Sequence, residues 1–360
     1  MRAVAVTPGR KDSARVVEMD APLPRQGEVL VKILEVGIDG TDVEISQARY
    51  GEPPPGCDLL VLGHEALGEV QETGSAELGE GELVVPLVRR PDGCINCRSG
   101  QPDMCVEGNY RECGIRGAHG FLRECLAEEP HFLVRVPENL RQVAVLTEPM
   151  SIVTKGVGQA VEFHRRSANP VQVALVLGAG SLGLLATAFL RLQGLNAYTL
   201  DILPKSSLKG QLVEAIGATY LDGRHVGIDE LPGKLGNLDI VVEATGNSTV
   251  AFQAMSVLGA NGVLCLMGVS TGERRLEICA DCVNTQMVLG NKVVFGSVNA
   301  NRSHFERAIL LLVEIERKWP GWPSRLITRR LPLVDFEEAL RPAPNSIKTV
   351  IQVTSPAAHI

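Results

Sequence analysis

The chain has 360 residues, 45% of them hydrophobic and 21% charged, with a formal net charge of −7. That length suits two globular domains, and the composition excludes a disordered chain, a collagen-like chain and a disulfide-stapled miniprotein. An acidic chain with no Lys/Arg run and 4% aromatic residues is a poor match for nucleic acid or an anionic membrane surface, so neither is expected as a partner.

Met1–Val6 enters an alternating strand with no signal-peptide apolar region, and no later stretch approaches the roughly 20 apolar residues of a membrane helix. A cytoplasmic protein is expected, in which the nine cysteines would not form a disulfide framework. Up to about residue 150, short strand-like runs such as Val29–Leu34 and Glu82–Leu87 alternate with Gly/Pro turns, which reads as a mostly β domain. Within it Cys94, Cys97, Cys105 and Cys113 cluster, with Cys125 close behind.

From about residue 170 the rhythm changes to βαβ. Strands are predicted at Val173–Leu177, Ala197–Leu200, Val241–Gly246 and Gly262–Gly268, with helices at Leu182–Leu192 and Leu212–Ile216 between the first of them. A helix at Phe305–Ile315 then leads to a closing strand, Lys348–Val353, and the tail from Ser355 is expected to fray.

The run Val176-Leu177-Gly178-Ala179-Gly180-Ser181-Leu182-Gly183 is a strand leading through G-x-G-x-x-G into an apolar helix. The first Gly makes a tight turn, the second lets backbone approach a pyrophosphate, and the third lets helix and strand pack closely. The helix start, at Ser181 and Leu182, presents free N–H groups to phosphate. Asp201 follows where a carboxylate would bind a ribose 2′-hydroxyl. It would repel a 2′-phosphate, and no Arg follows closely, so NAD is expected over NADP; Lys205 is the cation that would weaken that preference.

Oxygen and imidazole donors occur in Asp39-Gly40-Thr41-Asp42, Gly63-His64-Glu65 and Thr147-Glu148-Pro149. A catalytic zinc needs three protein ligands and an open position. Taken singly, Asp39 also reads as a turn residue and Glu148 as a loop carboxylate.

The whole chain resembles the zinc-dependent medium-chain alcohol dehydrogenase superfamily. The residues carrying this are Gly37–Asp42, Gly63-His64-Glu65-Ala66-Leu67-Gly68, the glycine fingerprint and Ile347-Lys348-Thr349-Val350. Val88-Arg89-Arg90-Pro91, Gln101–Cys105, Arg116–Phe121, Thr147–Ile152 and Gly296–Asn299 narrow the resemblance to the glucose 1-dehydrogenase branch. It implies an α/β fold with a GroES-like β-rich catalytic domain over 1–155 and 300–360. A Rossmann doubly wound parallel-sheet nucleotide-binding domain would occupy 156–299.

The same resemblance implies a catalytic zinc at Asp39 and His64, completed by Glu65 or Glu148 directly or through water, with Thr41 relaying a proton. The superfamily usually has Cys where this chain has Asp39, which makes the site harder. Members with a structural zinc carry C-x2-C-x2-C-x7-C. Here Cys94, Cys97 and Cys105 match the last three positions and Pro91, which cannot ligate, occupies the first, with Asp92 adjacent and Cys113 downstream; the three cysteines with Asp92 would make a tetrahedral site, and a degenerate loop with free thiols is the alternative. Glu112, Glu148 and Asn299 would bind sugar hydroxyls, Asn299 also lying on the cofactor side, and His119 would be structural.

The implied reaction is hydride transfer from C1 of an aldose such as D-glucose to the nicotinamide, giving the lactone. A polyol, amino-sugar or secondary-alcohol dehydrogenase is the alternative on this scaffold. A non-catalytic nucleotide-binding member is a further reading, against which Asp39, Thr41, His64 and Glu148 argue; a zinc-free quinone-reductase relative would lack the cysteine lobe and the His64-Glu65 pair. A dimer or tetramer is expected through an exposed edge strand near Lys292–Ser297.

Overall fold

The computed structural model describes residues 1–341, 343 and 345–354. The tail whose fraying the sequence suggests, from Ser355, lies outside them. Two compact units result. One comprises Met1–Ser151, Asn299–Glu316 and the chain from Pro323 onward; the other comprises Ile152–Val298 and Arg317–Trp322. The short excursion Arg317–Trp322 belongs with the second unit because Trp322 is buried there and its indole N–H donates to Leu212 O at 2.9 Å.

The first unit is built around a seven-stranded sheet. Its central strand, Val29–Ile38, alternates fully buried Val29, Val31 and Ile33 with half-buried Leu30 and Lys32. It pairs antiparallel with Glu65–Thr73, Cys125–Glu128 and Lys348–Gln352. This register decides where the chemistry falls. Gly37 lies opposite both Glu65 and Val350, so Glu65, Lys348 and the residue after the strand, Asp39, are drawn to one end. A Cβ on Gly37 would sit 2.1 Å from Glu65 Oε2, so glycine there makes room for that carboxylate.

The second unit contains a six-stranded all-parallel sheet. In chain order its strands are Val173–Leu177, Asn196–Asp201, Thr219–Asp222, Ile240–Glu243, Val263–Leu266 and Val293–Gly296. In space they run third, second, first, fourth, fifth, sixth, the doubly wound order whose switch point lies beside the first strand. The core strands Val173–Leu177 and Ile240–Glu243 are buried on both faces, as parallel strands covered by helices must be.

Among the described residues, three helices of ten or more residues went unread in the sequence. Thr147–His164 starts in the Thr-Glu-Pro-Met run, where Pro149 sits in the first turn and needs no N–H partner. Glu148 is therefore a first-turn helical residue and not a loop carboxylate. Ser248–Val257 and Ala280–Leu289 lack a clear apolar stripe, the latter having no buried residue. One local disulfide joins Cys279 to Cys282, three residues apart, so the cysteines are not all free, though a single local bridge is no framework. Among the described residues no helix is long and apolar enough to cross a membrane.

Candidate catalytic metal site and nucleotide loop

Asp39 ends the central strand and caps the helix Gly40–Ser46. Its Oδ1 accepts from Thr41 N at 2.8 Å and Asp42 N at 3.2 Å, and Asp42 Oδ2 accepts in return from Asp39 N at 3.2 Å. This capping box fixes the carboxylate plane and leaves Oδ2 turned to the site. There it accepts from the Thr41 hydroxyl at 3.2 Å and faces His64 Nε2 at 3.6 Å.

His64 precedes the strand Glu65–Thr73 and is buried. Its Nδ1 faces Asp42 Oδ1 at 3.8 Å, too far for a hydrogen bond, and that oxygen is itself held by Gly63 N at 3.0 Å. Buried Lys348 donates to both oxygens of buried Glu65, each at 2.6 Å. Ligand atoms of Asp39, His64 and Glu65 all lie within 4.8 Å of one another. Glu148 is outside that set, yet it is buried and feels the charges of His64, Glu65, Asp39 and Lys348.

The electrostatics suit a cation. Although burial disfavours charge, His64 and Lys348 hold the Asp39 carboxyl well below the usual range. Burial pushes Glu148 up to about 8; His64 offsets part of this, while Glu65 and Asp39 add to it. Burial also opposes charge on His64, but Asp39 and Asp42 outweigh it and raise the imidazole well above its ordinary value. Four carboxylates thus converge on one ammonium and one imidazole. A divalent metal is what such a donor set lacks, and the oxygen and nitrogen ligands are of the right type for zinc.

A second cluster forms from Asp92, Cys94, Cys97 and Cys105, again within 4.8 Å. Cys94 Sγ lies 3.9 Å from Cys105 Sγ, and Cys105 Sγ lies 2.9 Å from Asp92 Oδ2. Zn–S bonds of about 2.3 Å at tetrahedral angles give an S···S edge of roughly 3.8 Å, so the thiols stand at the spacing a zinc requires. Cys113 is buried elsewhere, beside Arg90.

Glu112 is anchored in the first unit. Its Oε1 accepts from Arg89 Nη2 at 2.7 Å, Arg89 Nε at 3.1 Å and Asn299 Nδ2 at 2.7 Å. Asn299 adopts a left-handed φ of 57°, a conformation asparagine tolerates. His119 accepts a hydrogen bond from Val61 N at 3.3 Å, a structural contact.

In the second unit the glycine loop follows the first strand. A Cβ on Gly183 would fall 1.9 Å from Gly178 O, so the helix can pack here only as glycine, whereas the space at Gly180 is open. Asp201 accepts from Ala179 N at 2.7 Å and Leu203 N at 3.1 Å, which brings the carboxylate against the loop. Lys205 is drawn off to Glu214 at 2.9 Å; the cation near Asp201 is Lys209, at 3.8 Å. Glycine loop, open cradle and carboxylate fit a dinucleotide.

The family model described as "Glucose dehydrogenase C-terminus" matches residues 141–353, and "Alcohol dehydrogenase GroES-like domain" matches residues 25–138. The chain is 45% identical over 357 residues to a glucose 1-dehydrogenase of Methanocella arvoryzae, covering 98% of this chain and 99% of that one. It is 45% identical over 356 residues to one from Thermoproteus tenax, with the same coverage. The chain belongs to the glucose dehydrogenase family. A solved Haloferax mediterranei glucose dehydrogenase, in complex with NADP, Zn and gluconolactone, matches with a TM-score of 0.91 and 37% identity, covering 99% of this chain and 100% of that one.

Membership brings with it the zinc-dependent medium-chain dehydrogenase fold that the sequence motifs imply, with a GroES-like domain and a Rossmann-type parallel sheet. The structure draws Asp39, Thr41, His64, Glu65 and Glu148 together in the first unit, and pairs Glu112 with Asn299 there. Gly178, Gly180, Ser181, Leu182, Gly183 and Asp201 assemble in the second. Four participants had no assigned role in the sequence. Lys348 grips Glu65, Asp42 backs His64, Arg89 anchors Glu112, and the Tyr50 phenol lies near Thr41. The Asp39–Asp42 spacing was a legible capping-box signal; Lys348, more than 280 residues from its partner, carried none.

Proposed function

We propose that this chain is a zinc-dependent glucose 1-dehydrogenase that transfers hydride from C1 of D-glucose to a nicotinamide cofactor, giving the lactone. The observation that carries the reading is a buried carboxylate–imidazole set in a chain 45% identical, end to end, to glucose 1-dehydrogenases. Asp39, His64 and Glu148 would hold the zinc, with Glu65 adding to the shell. Lys348 already occupies both Glu65 oxygens, which favours Glu148 as the direct ligand and Glu65 as a contributor through water. When bound, the zinc supplies Lewis-acid stabilisation of the alkoxide developing at the sugar oxygen.

The side chains do the rest. The Thr41 hydroxyl, which donates to Asp39 Oδ2, accepts the sugar proton and passes it outward. Burial pushes the nearby Tyr50 phenol up to about 12, which keeps it a neutral hydroxyl. Asp42 backs His64 as a neighbouring negative charge, its Oδ1 3.8 Å from Nδ1. Glu112, Glu148 and Asn299 bind sugar hydroxyls, because a site built from paired donors and acceptors rejects analogues that leave them unpaired. Residues 1–155 with 300–360 act as the catalytic domain, and 156–299 as the nucleotide domain.

A structural zinc on Asp92, Cys94, Cys97 and Cys105 belongs to the same proposal; its ligand thiols would persist in the cytoplasm, where thiols stay reduced. Metal analysis of the purified protein is expected to give two zinc per chain, and one would remove the cysteine site. NAD is the favoured cofactor, supported by the Asp201 carboxylate at the loop and by the pairing of Lys205 with Glu214. Asp201→Asn is expected to lower kcat/KM for NAD by about tenfold or more, the worth of a charged hydrogen bond, and to narrow the NAD/NADP ratio. A wild-type preference for NADP would overturn this assignment.

Self-association is proposed through the strand Val293–Gly296. It is the outer strand of its sheet, paired on one side with Val263–Leu266, and is followed in sequence by exposed Val298; the preceding helix exposes Val288 and Leu289. Light scattering should give a dimer or tetramer, and a monomer at micromolar concentration would contradict it. The substrate assignment is tested by initial rates with D-glucose, D-galactose, D-xylose and a secondary alcohol. Glucose is expected to give the highest kcat/KM; turnover of the alcohol alone would remove the sugar reading.

A further inference from the structure

The cysteine lobe and the sugar-binding carboxylate are connected by one side chain, Arg89. It is 4% exposed, on a short strand paired with Arg111–Cys113. One end of its guanidinium, Nη1, donates to Asp103 O at 3.2 Å and Pro102 O at 3.4 Å. Both carbonyls belong to the turn Pro102–Met104, which lies between Cys97 and Cys105 of the lobe. The other end, Nη2 and Nε, donates to Glu112 Oε1. The Tyr110 ring stacks beneath the guanidinium at 3.7 Å. Together with Asn299, Arg89 puts three donors on Oε1, and among the described residues Oε2 is left without a protein partner.

We propose that Arg89 is a positioning residue for glucose: it fixes the rotamer of Glu112 so that Oε2 faces the sugar, and it ties that position to the metal-held shape of the cysteine lobe. This rests on the reading of Glu112 as a sugar ligand. The guanidinium is suited to it because its donors sit on three nitrogens facing different sides, reaching two backbone carbonyls at one end and a carboxylate at the other, a span that an ammonium's single nitrogen does not cover. Loosening the lobe shifts the Pro102 and Asp103 carbonyls, frees Arg89, and lets Glu112 turn.

The test uses zinc-loaded full-length enzyme. Arg89→Gln is expected to raise KM for glucose about 10-fold to 100-fold, the worth of the charged hydrogen bonds it loses, with kcat and KM for NAD changed less than about twofold. Arg89→Lys, which keeps the positive charge opposite Glu112, should recover part of the loss. Cys105→Ser is expected to drop one zinc per chain by metal analysis and to weaken glucose binding, measured calorimetrically in the presence of NADH, by a similar factor. The double variant Arg89→Gln/Cys105→Ser should be no weaker than either single one. Glu112→Gln is run in parallel. If it leaves KM for glucose unchanged, the sugar role of Glu112 is wrong. If it raises KM while both Arg89 variants do not, or if the double variant is additive, the Arg89 inference is overturned on its own.

Discussion

Replacing Asp39 by asparagine is expected to lower kcat/KM for glucose by about three orders of magnitude while leaving the fold intact. Asparagine keeps an oxygen for Thr41 N and Asp42 N, so the helix cap survives; an alanine would forfeit about 1 kcal/mol there and blur the result. What asparagine removes is the anionic oxygen that faces His64 at 3.6 Å. With one of three ligands neutralised, the catalytic zinc should be lost or exchange freely, and with it roughly 4 kcal/mol of stabilisation of the developing alkoxide. Metal analysis should show one zinc fewer per chain, with an unchanged circular dichroism spectrum. Retained activity at full metal loss would sink the zinc role.

A second large effect is expected at Lys348, this time on stability. Lys348 and Glu65 are each about 2% exposed and bonded at 2.6 Å. Lys348→Met would strand the Glu65 carboxylate among Asp39 and Glu148, and breaking one side of a buried pair costs about 3–5 kcal/mol. For a unit of this size that is roughly a 10 °C fall in the melting temperature. Metal-free protein should be used, so that loss of zinc adds nothing. The double variant Lys348→Met/Glu65→Gln should regain most of the loss, because the cost lies in the unpaired charge rather than in the missing attraction. A fall below about 1 kcal/mol in the single variant would show that the pair is reached by water.

Local chemistry was legible in the sequence, and distant pairing was not. The strand Val173–Leu177 has the bounds its apolar run suggests, and the Gly178–Gly183 loop lies between that strand and its helix with Asp201 against it, because strand, turn and helix are contiguous. The helix Thr147–His164 did not, since its Thr-Glu-Pro-Met start looks like a loop when Pro149 is taken as a breaker rather than as a first-turn residue. Ala280–Leu289 exposes apolar side chains and so lacks the period a core-facing helix shows. In the site, Asp39 and His64 were named from short motifs. Their supports came from elsewhere: Lys348 reaches Glu65 across the central strand that lies between their own two strands, and Arg89 reaches Glu112 across a two-residue pairing. No spacing rule links such partners. The cysteine lobe is an intermediate case, where Cys94, Cys97 and Cys105 keep their spacing and Asp92 stands one residue from the position Pro91 occupies.

We propose that glucose oxidation depends on a metal held by Asp39, His64 and Glu148, and the dependence is open to direct measurement. It is tested most directly by removing the metal with chelator, measuring glucose-dependent NAD reduction, and restoring zinc stepwise with metal content determined at each step. Activity is expected to disappear with the more readily lost zinc, while the second, in the cysteine lobe, remains bound. It is expected to return in proportion to the first equivalent restored. Undiminished glucose oxidation in protein free of that metal would contradict this dependence.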